Sequence, residues 1–466
     1  MKVLMIPTAR ATFAIDVAKE RGAAAKALLQ ELGAEVFGPE ELVMNDDDVA
    51  AAHSLVSEPH DVIIHVHASF CDAGPAMTLY RDVEEPIVSW SFREPGPVGD
   101  RLWLNSLCGS NLMGHALVRA GKSLRLLYGD PDEPSVREAL TRIIAGELPD
   151  APELPGVAEG SFDDAAAEQA LQTLSTQAIG VIGDAPKGFT PSQFDGQLIK
   201  ELFHLDVVPM ELDSLLEDIE AVPQERRETE LVDALRWQPS LEDSGADNLG
   251  DFAAVTTSLR DWQKKTGVQA LALECWPGLP TKLRVCPCSS MSRLADEEIA
   301  TQCERDVYGA VTMLLLQALG SGITYLVDTV DLDQDKNLVR FWHCGAAATK
   351  LAADPDPGTQ GLHCNRKIGV AGNFPLKPGR VVAVRLTEDP KTDGLRMLIA
   401  SGEAIKAPNR FQGNTADVIM DSDAENFVTS LVTGGFPHHT VLSWADVRPG
   451  LRAVARKLNI PVVEFN

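Results

Sequence analysis

A chain of 466 residues has room for two or three domains with a substantial core. Its formal charge of −27 argues against nucleic acid or an anionic membrane surface as a partner, because either would need a basic face. A 44% apolar and 23% charged composition is that of a soluble globular enzyme, and no apolar run approaches the length of a membrane span.

The opening KVLMIP (2–7) reads as a first strand. Its apolar run is too short for a signal peptide, so the cytoplasm is the expected location. An Ala-rich helical run, Asp16 to Leu32, leads to a further strand in GAEVFGP. Residues 61–66, 86–90 and 124–128 continue the strands, with helices over Arg101–Ala120 and Pro134–Ala145. Strands alternating with helices imply a parallel α/β sheet. The Pro-, Gly- and acid-rich run 146–164 then marks a surface linker near a boundary. The pattern restarts at Ala178 with AIGVIGD, a helix over Pro191–Leu202, the strand-like DVVPMEL and a long acidic helical stretch. GVQALALECWP follows, its apolar run ending at Glu274-Cys275-Trp276.

The segment Thr301–Gly345 carries the chemistry. Val307 to Leu319 has the apolar spacing of a buried helix, and Glu304 and Asp306 at its start suit the positive end of the helix dipole. Gly320 and Gly322 end that helix, a short strand from Ile323 ends at Asp328, and a second apolar run ends in Trp342-His343. This order would bring Glu304, Asp328 and His343 to one end of a sheet. Two carboxylates and an imidazole there make a hard-metal or acid–base site. The alternative is two solvated helix-start acids, a strand-end Asp and a packed His. If the helix begins near Glu304, Asp306 points roughly to the other side and serves as a cap.

Beyond Lys350, HCNRKIGVAGNFPLKPGRVVAVRLTEDP, GLRMLIASGEAI and FVTSLVTGGFPHHTVL read as short strands between Gly, Pro and Asp turns. A helix over Asp446–Leu458 and a last strand, IPVVEF, close the chain. The expected fold is two Rossmann-like parallel-sheet domains, 1–170 and 171–349, followed by a mostly antiparallel β domain, 350–466.

In Gly434–Val441 (GGFPHHTV) the adjacent His438 and His439 have no packing reason to be there. In an extended segment only one of the two would face a given site. His65 and His67 share one face of a strand, and are expected to be hydrogen-bonded groups lining a cleft rather than metal ligands. Of the eight cysteines only Cys286 and Cys288 form a close pair, and reduced, buried thiols are the expectation. GVIGDAPKGF lacks the full dinucleotide fingerprint, and no nucleotide cofactor is expected.

CERDVYGA (303–310), VDTVD (327–331), WHCG (342–345) and GGFPHHTV together resemble the fucose/arabinose ketol-isomerase superfamily. The ending from His438 is similar to the arabinose branch; WSFREPGPVGDRLWLNSL and IPTARATF are similar to the fucose branch. The resemblance implies a divalent metal, Mn²⁺ with Mg²⁺ or Co²⁺ as alternatives, held by Glu304, Asp328 and His439. His343 matches a further ligand of the arabinose branch. It implies that Glu304 and Asp328 also act in acid–base catalysis. It further implies a homotrimer or homohexamer whose sites are completed by a neighbour, with Arg10 and Trp90 facing substrate across that boundary. The activity implied is aldose–ketose isomerisation of a pentose or 6-deoxyhexose. The alternatives are a related metal-dependent enzyme acting on a modified sugar, or a non-catalytic sugar-binding relative.

Overall fold

The computed structural model describes all 466 residues. The N-terminal sheet consists of β1 (Lys2–Thr8), β2 (Glu35–Phe37), β3 (Val62–His67), β4 (Ile87–Ser91) and β5 (Leu124–Tyr128). All its pairings are parallel, in the order β2-β1-β3-β4-β5. The second sheet, β6 (Ala178–Ile182), β7 (Asp206–Met210), β8 (Ala270–Leu273) and β9 (Ala300–Gln302), is also parallel, in the order β7-β6-β8-β9. Each order reverses direction once, after β1 in the first sheet and after β6 in the second. In open α/β sheets, ligands bind outside the carboxyl ends of the strands at that reversal.

The remaining strands are β10 (Thr324–Asp333), β11 (Leu338–His343), the small hairpin β12 (Gln360–Leu362) and β13 (Val370–Gly372), and β14 (Phe374–Pro375). After them come β15 (Gly379–Glu388), β16 (Leu395–Ile405), β17 (Asn414–Met420), β18 (His439–Ser443) and β19 (Val462–Phe465). Six of these run β17-β11-β10-β18-β15-β16, every neighbour antiparallel. The β16–β17 pairing closes them into a barrel, which leaves few open sheet edges. β14 and β19 attach to it in parallel.

The structure corrects several sequence expectations. The strand through Asp328 does not end there but continues to Asp333 across an irregularity between Thr329 and Asp331. It and β11 pair within the C-terminal barrel, although the sequence places them with the central α/β domain. The helix expected from Arg101 begins at Ser106, because the buried Glu94 carboxylate accepts the backbone N–H groups of Trp103, Leu104 and Asn105 and keeps that stretch out of the helix. FVTSLVT is helical, not a strand: Ala424–Thr433 is capped by Asp423, and Phe427, Val428, Leu431 and Val432 form its buried face.

One apolar core runs through all three units, from Leu4 and Ile63 through Leu271 to Val327 and Phe341. Polar contacts also tie the first domain to the barrel. Tyr128 donates to Asp331 at 2.5 Å, and Arg93 donates to the Leu332 carbonyl at 2.7 Å and to Gln334 at 2.9 Å. No helix is long and apolar enough to cross a membrane.

Candidate active site and metal centre

One pocket collects residues from the carboxyl ends of both parallel sheets and from the barrel. Arg10, Thr12 and Phe13 follow β1, and Phe70 follows β3. Phe189 lies beyond β6, Cys275 and Trp276 follow β8, and Glu304 follows β9. The barrel strands and their ends contribute Asp328, His343, Cys344 and His438, and the loop of the β12–β13 hairpin contributes His363, Asn365 and Arg366. Both reversal points thus open on the same space.

Glu304 sits in a tight turn between β9 and the helix Val307–Ala318, with φ 58 and ψ 23. Arg305 is left-handed as well, at φ 57. A non-glycine residue in this region is uncommon and costs on the order of 1 kcal/mol or more, so the surroundings must impose it. They do so through the backbone: the Ser192 hydroxyl donates to the Glu304 carbonyl at 2.5 Å, and the Glu304 N–H meets Cys275 Sγ at 3.4 Å. The Glu304 side chain accepts from Trp276 Nε1 at 3.1 Å and lies 3.3 Å from His438 Nε2 and 3.2 Å from His439 Nε2.

Asp328 and His439 are direct partners in the β10–β18 ladder, which puts their side chains side by side. His439 Nε2 is 3.5 Å from Asp328 Oδ1, and His438 Nε2 is 4.0 Å from it. The expectation that only one of the two histidines faces the site is therefore corrected. β18 begins at His439, and the chain bends at His438, so strand alternation does not apply to the pair. Both rings turn inward with centroids 3.9 Å apart. His343 also converges: ligand atoms of Asp328, His343 and His439 lie within 4.8 Å of one another, as do those of Glu304, His438 and His439.

Asp306 is the second correction. It caps the helix by accepting from Gly309 N–H at 2.9 Å, and it forms a fully buried ion pair with both terminal nitrogens of Arg385. It does not point away from the site, however. Its Oδ2 accepts from His439 Nδ1 at 2.8 Å, on the side of the ring away from Glu304 and Asp328. That bond places the proton on Nδ1 and leaves the Nε2 lone pair facing the two carboxylates. His343 is the reverse case: its Nδ1 accepts from the Cys344 N–H at 2.9 Å, so the neutral ring carries its proton on Nε2.

Trp90 is the third correction. It lies wholly inside the N-terminal domain, packed on Phe92, with Nε1 donating to the Gly129 carbonyl. Alternation along β4 sends Trp90 to one face and Ser89 and Ser91 to the other, and no part of it reaches the pocket. Arg10 does reach the pocket, and from the same chain. His65 is bonded inside the domain to Thr8 and Tyr80, and neither it nor His67 lines the pocket. Cys286 and Cys288 both line the pocket, but Cys288 clusters with Cys344, 3.8 Å away sulfur to sulfur, and His363 rather than with Cys286.

The electrostatics favour a cation. Burial pushes the Asp328 carboxyl up to about 6, and its Oδ1 has no hydrogen-bond donor. Burial also opposes charge on Glu304, but the two histidines outweigh it and hold that carboxyl well below its ordinary value. Burial likewise opposes charge on His439, yet Asp306 and Glu304 overcome it and push the ring up to about 9. The surroundings that hold a proton on His439 are those that attract a metal ion, which would displace it. Asp328 Oδ1 and the Nε2 atoms of His439 and His343 are buried without partners. Two carboxylates and an imidazole suit a hard or borderline divalent ion. The carboxylates of Glu304 and Asp328 lie 3.2 and 3.5 Å from His439 Nε2, near the roughly 3 Å edge of an octahedron with ~2.1 Å bonds.

Sequence reasoning passed over Trp276, Asn105, Asn365 and Arg366 as site residues. Only Trp276 left a signal, as the end of an apolar run closing a strand of a parallel sheet, where sites form.

No protein-family model matches the chain. It is 33% identical over 466 residues to the sulfoquinovose isomerase of Alkalicoccus urumqiensis, covering 100% of this chain and 99% of that one. It is 30% identical over 460 residues to the sulfoquinovose isomerase of Priestia megaterium, covering 98% of each chain. With that of a Clostridium species, strain MSTE9, it shares 29% identity, again covering 98% of each. An ABC-transporter solute-binding protein from Agrobacterium vitis, solved with alpha-D-tagatopyranose, aligns at 12% identity over 69% of this chain and 90% of that one. Its TM-score of 0.18 carries no argument. Two relatives at 30% identity or more, matched along almost their entire length, show that the chain belongs to the sulfoquinovose isomerase family and is an isomerase.

Proposed function

We propose that the protein is a divalent-metal-dependent aldose–ketose isomerase of the fucose/arabinose type, and that its substrate is a sulfonated hexose, sulfoquinovose. The names of its relatives favour the modified-sugar alternative over a pentose or 6-deoxyhexose. The observation that carries the reading is the convergence of Glu304 and Asp328 on His439 Nε2, 3.2 and 3.5 Å away, beside a pocket that both carboxylates and His438 line. A non-catalytic binding protein has no use for two carboxylates and an imidazole focused on one point.

Glu304, Asp328 and His439 would hold the metal, Mn²⁺ in the first place with Mg²⁺ or Co²⁺ as alternatives. When bound it supplies Lewis acidity toward two neighbouring sugar oxygens. The residues do the rest. Isomerisation moves a proton between C1 and C2, and Glu304 and Asp328 would be the carboxylates that take and return it. His343, whose Nδ1 is taken by the Cys344 N–H, would present a proton on Nε2 to the site rather than a lone pair to the metal. Trp276 holds Glu304 in place through its indole N–H.

The defining test is an assay of sulfoquinovose with the chelated protein before and after Mn²⁺ is restored. Turnover should be lost and regained; turnover that survives complete metal removal would refute the metal-dependent reading. We expect Mn²⁺ also to raise the melting temperature, since a ligand of the folded state at a hundred times its Kd stabilises by about 2.7 kcal/mol. A melting curve indifferent to Mn²⁺ and chelator would remove Glu304, Asp328 and His439 as its ligands.

The reading extends to a cytoplasmic homotrimer or homohexamer. Because Arg10 lies in its own chain's pocket, no neighbour is needed to supply it. Light scattering that finds only monomer at micromolar concentration would rule out the oligomer without touching the metal site.

A further inference from the structure

Two guanidinium groups gather at one indole. Arg10 Cζ lies 4.4 Å from the Trp276 ring centroid and Arg366 Cζ 5.8 Å from it, and all three residues line the pocket. Both arginines are half-buried, and neither guanidinium forms an ion pair or a hydrogen bond within the chain. The acids whose charge favours Arg10, Asp72 and Glu304, stay beyond ion-pair distance, while Arg366 disfavours it. That is unusual for this chain, which has 68 acidic against 41 basic residues. Other buried arginines do carry partners: Arg385 pairs with Asp306, Arg452 pairs with Glu464, and Arg396 donates to the carbonyls of Gly434 and Gly435.

The turn that offers Arg366 is anchored, because the backbone N–H groups of Asn365 and Arg366 both donate to His363 Nδ1 at 3.3 Å. Trp276 is anchored as well, through its bond to Glu304. The turn and the indole are therefore held at a fixed place relative to the carboxylate wall, and packing over that indole orients the two positive groups without neutralising them.

We propose that Arg366 and Arg10, arranged on Trp276, form the subsite for the anionic end of the substrate, its sulfonate. The proposal rests on the reading of this pocket as the site of a sulfonated-sugar isomerase, and names the residues that make it selective. The reacting carbons would lie at Glu304 and Asp328, with one indole setting the distance to the charged end. Guanidinium forks suit the oxygens of such an anion. A neutral sugar would leave both charges partly desolvated and unanswered, so the pair selects against it as well as for the anion.

The test compares sulfoquinovose with neutral 6-deoxyglucose in the Mn²⁺-loaded enzyme. Arg366→Gln and Arg10→Gln should each raise KM for sulfoquinovose at least about tenfold, the usual effect of losing a charge-assisted bond, with a smaller change in kcat. The ratio of kcat/KM for the sulfonated over the neutral sugar should fall by a similar factor, with Arg366→Lys recovering part of it. Calorimetric titration with ethanesulfonate provides a readout free of turnover: the parent should bind it, and the two Gln variants should bind at least about tenfold more weakly. Sulfoquinovose turnover with KM and ratio unmoved by either substitution would overturn the subsite and leave the proposed function standing. Arginine-dependent ethanesulfonate binding without sulfoquinovose turnover would do the opposite.

Discussion

Glu304→Gln and Asp328→Asn are each expected to lower turnover by at least about a hundredfold, the scale of a lost general acid–base group. Both changes keep the size of the side chain and remove its charge. The losses should differ in kind. Glu304 accepts from Trp276 and faces both histidines, so Gln at 304 keeps an acceptor for the indole but gives up the charge that the two imidazoles answer. Asp328 has an unpartnered oxygen, so Asn at 328 removes little besides the charge and should leave the fold at least as stable as the parent in the metal-free state. Steady-state rates, bound Mn²⁺ per chain and melting curves of the chelated proteins check all three statements. Near-parental turnover in either variant would strike that carboxylate from the catalytic pair.

Asp306→Asn should be the most destabilising of the conservative changes at this site. Removing one partner of a fully buried ion pair typically costs about 3–5 kcal/mol, here by leaving Arg385 uncompensated. The helix cap should partly survive, since Asn also accepts from the N–H groups of a first turn. The change would also reach a metal held by His439 without touching it. Asn can present its oxygen to Arg385 or to His439 Nδ1 but lacks the charge that fixes the imidazole, and the loss of such an outer partner commonly weakens metal binding 10- to 100-fold. Thermal melting and Mn²⁺ titration of the same preparation separate the two effects. Parental Mn²⁺ affinity alongside a lowered melting temperature would reduce Asp306 to a structural residue.

Much of this architecture is legible in the sequence because its signals are local. Strands such as 124–128 and the helix after Asp306 follow from apolar spacing and caps, and CERD and HHTV mark the site. The failures have physical causes of the same local kind. Reasoning on a helix wheel sent Asp306 away from Glu304, but the left-handed backbone at Glu304 and Arg305 turns the chain between them, so no helical frame relates the two side chains. Strand alternation separated His438 from His439, but the strand starts only at the second. Trp90 was misplaced because likeness to a family segment does not reveal which face of β4 is buried. Arg366, Asn365 and Asn105 lie in loops far apart in the chain, and only the packing of the barrel against both sheets brings them to one pocket.

The closed barrel has a consequence for how tightly an ion can be held. Asp328 and His439 are paired across two of its strands, so the backbone ladder sets their separation during folding. The loss of freedom needed to gather these two donors belongs to folding and does not recur each time an ion arrives. Glu304 belongs to a different mechanical element, a strained turn beyond the end of a short strand of another sheet. The grip thus has a rigid jaw and a separately hung one, and the second is where small shifts between the domains would tune the strength of the hold.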